Sequence, residues 1–200
     1  QNEMTVNHLW TCDRKYEVSG VGYAPKGEIL CGKDKWEAAD NEELRLLVSG
    51  GALCSNARLV EPDEEGGRYT VLGDPTEACL LVSAQKAGLS LEGLEREMPR
   101  VRELPFESRR KRMTTIHQLK RPLDGASRVA FVKGAPNEVV RLSDNYRTDG
   151  KVMPMSDEMR KSIMDANDGY AANGLRVLAL AYRPLSPDDT SIPRSMSDYT

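Results

Sequence analysis

The chain has 200 residues, of which 39% are hydrophobic and 30% charged, with a formal net charge of -3. That length buries about two-thirds of the surface an unfolded chain exposes, enough for one sizeable domain, and the composition excludes a disordered chain. The acidic balance argues against a general nucleic-acid binder, whose mark is a strong basic excess. Cys12, Cys31, Cys54 and Cys79 lie far apart with no Cys-x-x-Cys pair, which fits reduced thiols in the cytosol better than a zinc site or a disulfide framework. With only His8 and His117, no histidine-built metal centre is expected. No apolar run approaches the length of a membrane span and no signal peptide is recognisable, so the expectation is a soluble chain facing the cytosol.

Residues 4–12 read as a strand, followed by short strands at 16–23 and 28–31 separated by Gly and Pro. Asp40-Asn41-Glu42-Glu43 predicts a helix start with Asp40 as the cap and Glu43 closing a capping box, its inner face Leu44, Leu47, Val48 and Leu53. Residues 61–67 are an acidic loop of the hairpin type. Asp74-Pro75-Thr76-Glu77 predicts a second helix, with Asp74 at the cap, Pro75 at the first helical position and Gly88 as its stop. Residues 101–106, 112–120 and 128–133 read as strands, and Pro136 opens a short helix. Ser156 caps a longer helix with a stripe of Met159, Ile163, Ala166 and Tyr170, and residues 176–182 form a last buried strand. Strands follow one another without regular helix alternation. The expected class is therefore α+β: a mainly antiparallel sheet flanked by helices in two layers. Residues 1–184 form the expected domain, and the polar residues 185–200 a C-terminal linker.

Charge is unevenly placed. Between Arg100 and Arg121 stand eight Arg or Lys against Glu103 and Glu107, a local net of +6 that could receive an anion. Phe106, one of only two phenylalanines, sits directly before the densest part of that run. A flat ring beside guanidinium and ammonium groups can stack a base and meet its phosphates, although a lone phenylalanine is more often a core residue. Lys111 lies an odd number of residues from Phe106, so strict alternation would separate them; a turn or bulge over 107–110 would let both reach one pocket. Lys133-Gly134-Ala135-Pro136 reads as a strand-to-helix turn. There Gly134 lets the backbone approach a ligand, or simply makes a tight connection beside a solvated lysine. Glu77 is equally well placed as a simple capping glutamate, and Arg176 as a surface residue at a strand edge. Neither a Gly-x-Gly-x-x-Gly nor a Walker loop occurs, and no triad, paired-carboxylate site or metal cluster stands out. No catalytic or metal-ligating residue is assigned.

Four blocks in order resemble a known family: Gly73-Asp74-Pro75-Thr76-Glu77; Pro105-Phe106 with Arg110-Lys111-Arg112-Met113; Lys133-Gly134-Ala135-Pro136; and Gly174-Leu175-Arg176-Val177-Leu178-Ala179. Together they are similar to the nucleotide-binding (N) domain of type II P-type cation-transporting ATPases, over nearly the whole chain. Gln1 to Val6 looks like the segment that follows the family's DKTGTLT sequence, so the chain looks like an excised domain with the phosphorylated aspartate elsewhere.

The resemblance implies that Phe106 stacks on adenine and that Glu77, with Thr76 beside it, contacts the adenine edge. It implies Lys111 lining the pocket, Lys133 in its depth with Gly134 giving the base room, and Arg176 at the phosphate end. The implied ligand is ATP as MgATP, with magnesium arriving on the nucleotide. The implied partners are the phosphorylation and actuator domains of the same parent, on the cytoplasmic side of a membrane. Calcium leads as the implied cargo, ahead of sodium, proton or manganese. Ser108 departs from the pattern by standing where the muscle calcium pumps carry an arginine, and Asn137 by replacing an acidic residue. A different class of reading is a stand-alone interaction module whose basic strand binds an acidic protein or RNA.

Overall fold

A computed structural model describes residues 3–64 and 66–189. Gln1, Asn2 and residues 190–200 of the expected linker lie outside the described residues. In chain order the elements are β1 (His8–Trp10), β2 (Lys15–Val18), β3 (Ile29–Cys31), β4 (Asp34–Trp36), α1 (Glu42–Leu53), β5 (Arg58–Val60), β6 (Thr70–Leu72), α2 (Pro75–Lys86) and α3 (Leu91–Glu97). There follow β7 (Arg100–Glu107), β8 (Arg112–Leu123), β9 (Ala126–Gly134), α4 (Pro136–Arg141), β10 (Asn145–Thr148), β11 (Lys151–Pro154), α5 (Asp157–Ala172) and β12 (Ala179–Leu185). Among the described residues the strand pairings are antiparallel, so the α+β expectation holds.

The chain forms two compact units. One comprises the described residues up to Gly93 together with Asp144–Met155; the other comprises Leu94–Ser143 and the described residues from Ser156 on. In the first unit, β1-β2-β3-β4 form an antiparallel meander, while α1 packs on α2. The side chains of Leu44, Val48, Ala78 and Val82 are buried there. β5 and β6 are the two arms of the acidic hairpin.

Two expectations in this unit are corrected. Asn41, not Asp40, caps α1: its Oδ1 accepts the Leu44 N–H at 2.8 Å, while Asp40 accepts the Glu37 N–H at 2.6 Å in the preceding turn. Glu43 closes no capping box; its Oε1 accepts the Gly150 N–H at 2.8 Å from the β10–β11 hairpin, which the sequence pattern did not reveal. Arg147 of that hairpin pairs with Glu42 at 2.7 Å and lies 3.6 Å from Glu43. Asn41→Ala should therefore cost about 1 kcal/mol, read as a lower urea midpoint at unchanged slope. α2 begins as expected, with Asp74 accepting the Thr76 N–H and Pro75 in the first turn.

The second unit is built on one sheet of order β12-β9-β8-β7. Alternation puts Thr115, His117, Val129 and Phe131 on one face, all buried, and Ile116, Ala130 and Leu185 on the other. α5 starts at Ser156, whose Oγ accepts the Met159 N–H at 3.1 Å, as expected. Its stripe is half-buried rather than fully buried. The final strand starts three residues later than expected and runs through Leu185, which pairs with Arg128 and is 2% exposed. The sheet thus takes up the first residue assigned to the linker.

Candidate functional site

Antiparallel pairing brings four chain segments to one end of the second unit's sheet. β7 ends at Glu107, β8 begins at Arg112, β9 ends at Gly134 and β12 begins at Ala179; these four residues form a single cross-strand row. One row further in, Met113 faces Lys133, and Lys133 faces Leu180. On β7 the register slips between Leu104, opposite Thr114, and Glu107, opposite Arg112. Pro105 and Phe106 are therefore two residues against the single Met113. This is a β-bulge on an edge strand, where a proline costs no ladder bond. Phe106 and Lys133 lie in one row two strands apart, a separation of about 10 Å at ordinary strand spacing.

Phe106 is 62% exposed, whereas Phe131, the other phenylalanine, is fully buried in an edge-type pair with His117, ring centroids 5.7 Å apart. Of the two readings open to Phe106, burial in the core is ruled out. Lys111 closes the turn between β7 and β8 in the left-handed region, φ 51°, and its N–H donates to the Glu107 carbonyl at 2.7 Å. The turn needed to break strand alternation between Phe106 and Lys111 is present. Lys133 is 9% exposed, with its backbone held between β8 and β12. Arg176 lies exposed in the segment entering β12, three residues before Ala179 at the same sheet end.

Gly134 is tightly enclosed. A Cβ there would lie 2.4 Å from the Lys111 carbonyl oxygen and 2.7 Å from the Arg112 Cβ. The space that the glycine leaves is thus filled by the start of β8, and the Lys111 carbonyl accepts the Ala135 N–H at 3.0 Å. The room that the resemblance implies for a base is taken by the protein's own backbone at this point.

Thr76 and Glu77 belong to the first unit, in the opening turn of α2. Glu77 Oε2 accepts the N–H groups of Asn56 and Ala57 at 2.7 and 3.1 Å, tying the segment after α1 to the start of α2. The carboxylate is thus used across the unit. Thr76 Oγ1 donates to the Met4 sulfur at 3.3 Å.

The sheet end carries a positive field. The Glu138 carboxyl of α4 is held below its ordinary range by a hydrogen bond from Arg141, with the charges of Arg112 and Lys111 adding to the effect. Arg110, which the sequence presents as one more member of the cationic run, is instead buried. The available signal was Glu107 three residues before it, a spacing that pairs within a turn. In the first unit, burial pushes the Cys12 thiol up to about 11, with Asp13 and Glu43 adding, so it stays protonated at neutral pH. Among the described residues no three His, Cys, Asp or Glu side chains cluster to hold a metal ion, and no helix is long and apolar enough to cross a membrane.

Comparison with known proteins places these features in a family. The family model described as P-type ATPase, cytoplasmic domain N, matches residues 43–199. A calcium-transporting ATPase of Bacillus subtilis is 33% identical over 201 residues, covering 100% of this chain and 22% of its own. The cation-transporting ATPase pma1 of Synechocystis is 34% identical over 96% of this chain and 21% of its own. The bovine calcium-transporting ATPase type 2C member 1 is 32% identical over 92% of this chain and 18% of its own. The chain spans about a fifth of the length of these curated relatives. With a match over most of its length and the antiparallel α+β architecture described above, the chain belongs to the family of P-type ATPase cytoplasmic N domains.

Proposed function

We propose that this chain is the ATP-binding domain of a membrane cation-transporting P-type ATPase, gripping MgATP by its adenine. The observation that carries the reading is Phe106: an exposed ring on a bulge, sharing a cross-sheet row with Lys133 at the sheet end where Lys111 and Arg176 also lie. An exposed ring is open to a base, and base stacking on such a ring contributes about 1–3 kcal/mol. Lys111 and Arg176 supply positive charge for the phosphates, Lys133 lies in the depth of the pocket, and Gly134 holds the turn that carries Lys111. On the resemblance alone, Thr76 and Glu77 are assigned to the adenine edge. The donor set fits magnesium that arrives on the nucleotide rather than on a protein cage, since the residues at this sheet end are cationic.

In this reading the domain delivers and does not react. It positions the γ-phosphate for an aspartate on a separate phosphorylation domain, and closure of the domains completes the site. The names of the relatives support cation transport, with calcium as the cargo proposed first. A single stacking ring and a few cations predict a dissociation constant on the order of 0.1–1 mM.

Titrating ATP into the purified chain while following backbone NMR shifts tests the reading. Shifts are expected around Phe106 and Lys133, and none at several millimolar ATP would sink it. Phe106→Ala should weaken ATP by about 5- to 150-fold. Arg112→Ala should weaken it less, because its guanidinium donates to the Arg110 carbonyl at 3.2 Å. Equal losses, or RNA binding better than ATP, would mean that the basic run rather than the ring does the recognising.

A further inference from the structure

The bulge that displays Phe106 has no regular ladder pairing on β7: the register gives partners to Leu104 and Glu107 and none to Pro105 or Phe106. Pro105 lacks an N–H, and β7 is the edge strand, so the sheet alone leaves this segment weakly held. One side chain spans it. Arg110 Nε donates to the Glu107 carboxylate Oε2 at 2.7 Å, and Arg110 Nη2 donates to the Pro105 carbonyl at 3.0 Å. These two acceptors belong to the residues on either side of Phe106. The Arg110 side chain is 9% exposed against 35% for Glu107, so the guanidinium lies inside the turn and not on the surface that an anion would meet. The Lys111 N–H bond to the Glu107 carbonyl closes the same loop.

We propose that Arg110 is a positioning residue for nucleotide binding: it braces the backbone on both sides of Phe106 so that the ring is presented already ordered. This rests on the reading of Phe106 as the base platform. A brace of this kind acts before the ligand arrives. A ring on a loose segment would surrender its backbone freedom on binding, and that loss would subtract from affinity. The guanidinium presents Nε and Nη2 as separate donor atoms in a fixed fork, whereas the donors of a lysine all radiate from one nitrogen on a flexible stem, so a lysine does not reproduce this two-point span. Arg110 therefore serves the adenine end of the ligand through Phe106, although its charge and its place in a basic run suggest a phosphate contact.

The test combines ATP and inorganic tripolyphosphate titrations with ¹⁵N relaxation on the chain and its variants. Arg110→Gln should lower ATP affinity at least about fivefold, up to the loss seen in Phe106→Ala, and Arg110→Lys should not restore it. The double variant Arg110→Gln/Phe106→Ala should bind no more weakly than Phe106→Ala alone, because both act through one ring. Tripolyphosphate affinity should be unchanged, and the order parameters of the Phe106 and Glu107 amides should fall from about 0.85 to below about 0.6 without ligand. Arg109→Gln, on the exposed neighbour, should leave all of these readings unchanged.

Additive losses in the double variant, a weakened tripolyphosphate interaction, or unchanged order parameters at Phe106 would overturn the proposal. Should Arg110→Gln fail to fold, Glu107→Gln removes the charged half of the brace and should move the order parameters and ATP affinity in the same direction by less. A Phe106→Ala variant that binds ATP normally would defeat the nucleotide reading, while the order parameters would still decide whether Arg110 holds the bulge.

Discussion

Gly134→Ala should destabilise the second unit by about 3 kcal/mol, although it adds one methyl group to a residue in a regular strand. Gly134 sits in ordinary β9 pairing, between Arg112 on one side and Ala179 on the other, so backbone conformation does not demand glycine there. The demand is steric. The new Cβ would stand 2.4 Å from the Lys111 carbonyl oxygen and 2.8 Å from the Arg112 Cα, and both are backbone atoms that cannot swing aside. Relief requires moving the turn that holds Lys111 in its left-handed conformation, or breaking the bond from the Ala135 N–H to the Lys111 carbonyl. Overpacking of this type costs about 1–3 kcal/mol, and the immobile neighbours put this case at the upper end. Gly169→Ala is the natural comparison. It lies on exposed α5 with nothing within 4 Å of the added atom, and should stabilise by about 0.5–1 kcal/mol through helix propensity. Guanidinium unfolding curves for the two variants should thus shift in opposite directions. A near-neutral Gly134→Ala would show that the Lys111 turn is soft, which would also undercut the rigid presentation of Phe106.

Acidification should remove about 3 kcal/mol of stability between pH 6.5 and pH 4 through His117 alone. The ring is 1% exposed, with Nδ1 2.8 Å from the Met98 carbonyl and Nε2 2.9 Å from the Thr115 hydroxyl. A carbonyl only accepts, so Nδ1 carries the proton and Nε2 accepts from Thr115: the neutral ring satisfies both contacts. Burial pushes the imidazole down to about 4, and the charge of Arg100 adds to this while the Met98 carbonyl partly offsets it. The unfolded chain takes up its proton near the ordinary value of 6.5, whereas the folded chain resists until about pH 4. Between those values the unfolded state binds more protons, so stability falls as pH falls; above 6.5 this contribution is fully present. His117→Gln keeps a donor for Met98 and should flatten that part of the pH–stability profile. In the parent chain the His117 ring resonances should stay those of the neutral form down to about pH 5; a titration midpoint near 6.5 would refute the assignment.

How far these features were legible from the chain can be judged residue by residue. The starts of α2 and α5 were readable because capping is a short-range matter: Asp74 and Ser156 each meet an N–H two or three residues on. The runs of β8 and β9 were readable from apolar, strand-favouring residues between turn signals. Short range also set the limits. Asp40 and Asn41 are both competent caps, and the choice fell to Asn41 because the preceding turn uses Asp40 to bind the Glu37 N–H. The hairpin of β10 and β11 pairs a polar, half-buried strand with a short exposed one and is tied down by Glu42 and Glu43, about a hundred residues away in the chain.

The four sequence blocks placed the chain in its family, and composition with strand succession placed it in the α+β class, because both depend on residue identity and local order alone. Which of Phe106 and Phe131 is buried, which arginine of the basic run is spent inside the turn, and what fills the space beside Gly134 depended on sheet order and on one slip of register in β7. Those are properties of partners far apart in the chain. A ring's exposure is set by what its neighbouring strands lay across it, and no local pattern within Pro105-Phe106-Glu107 carries that information.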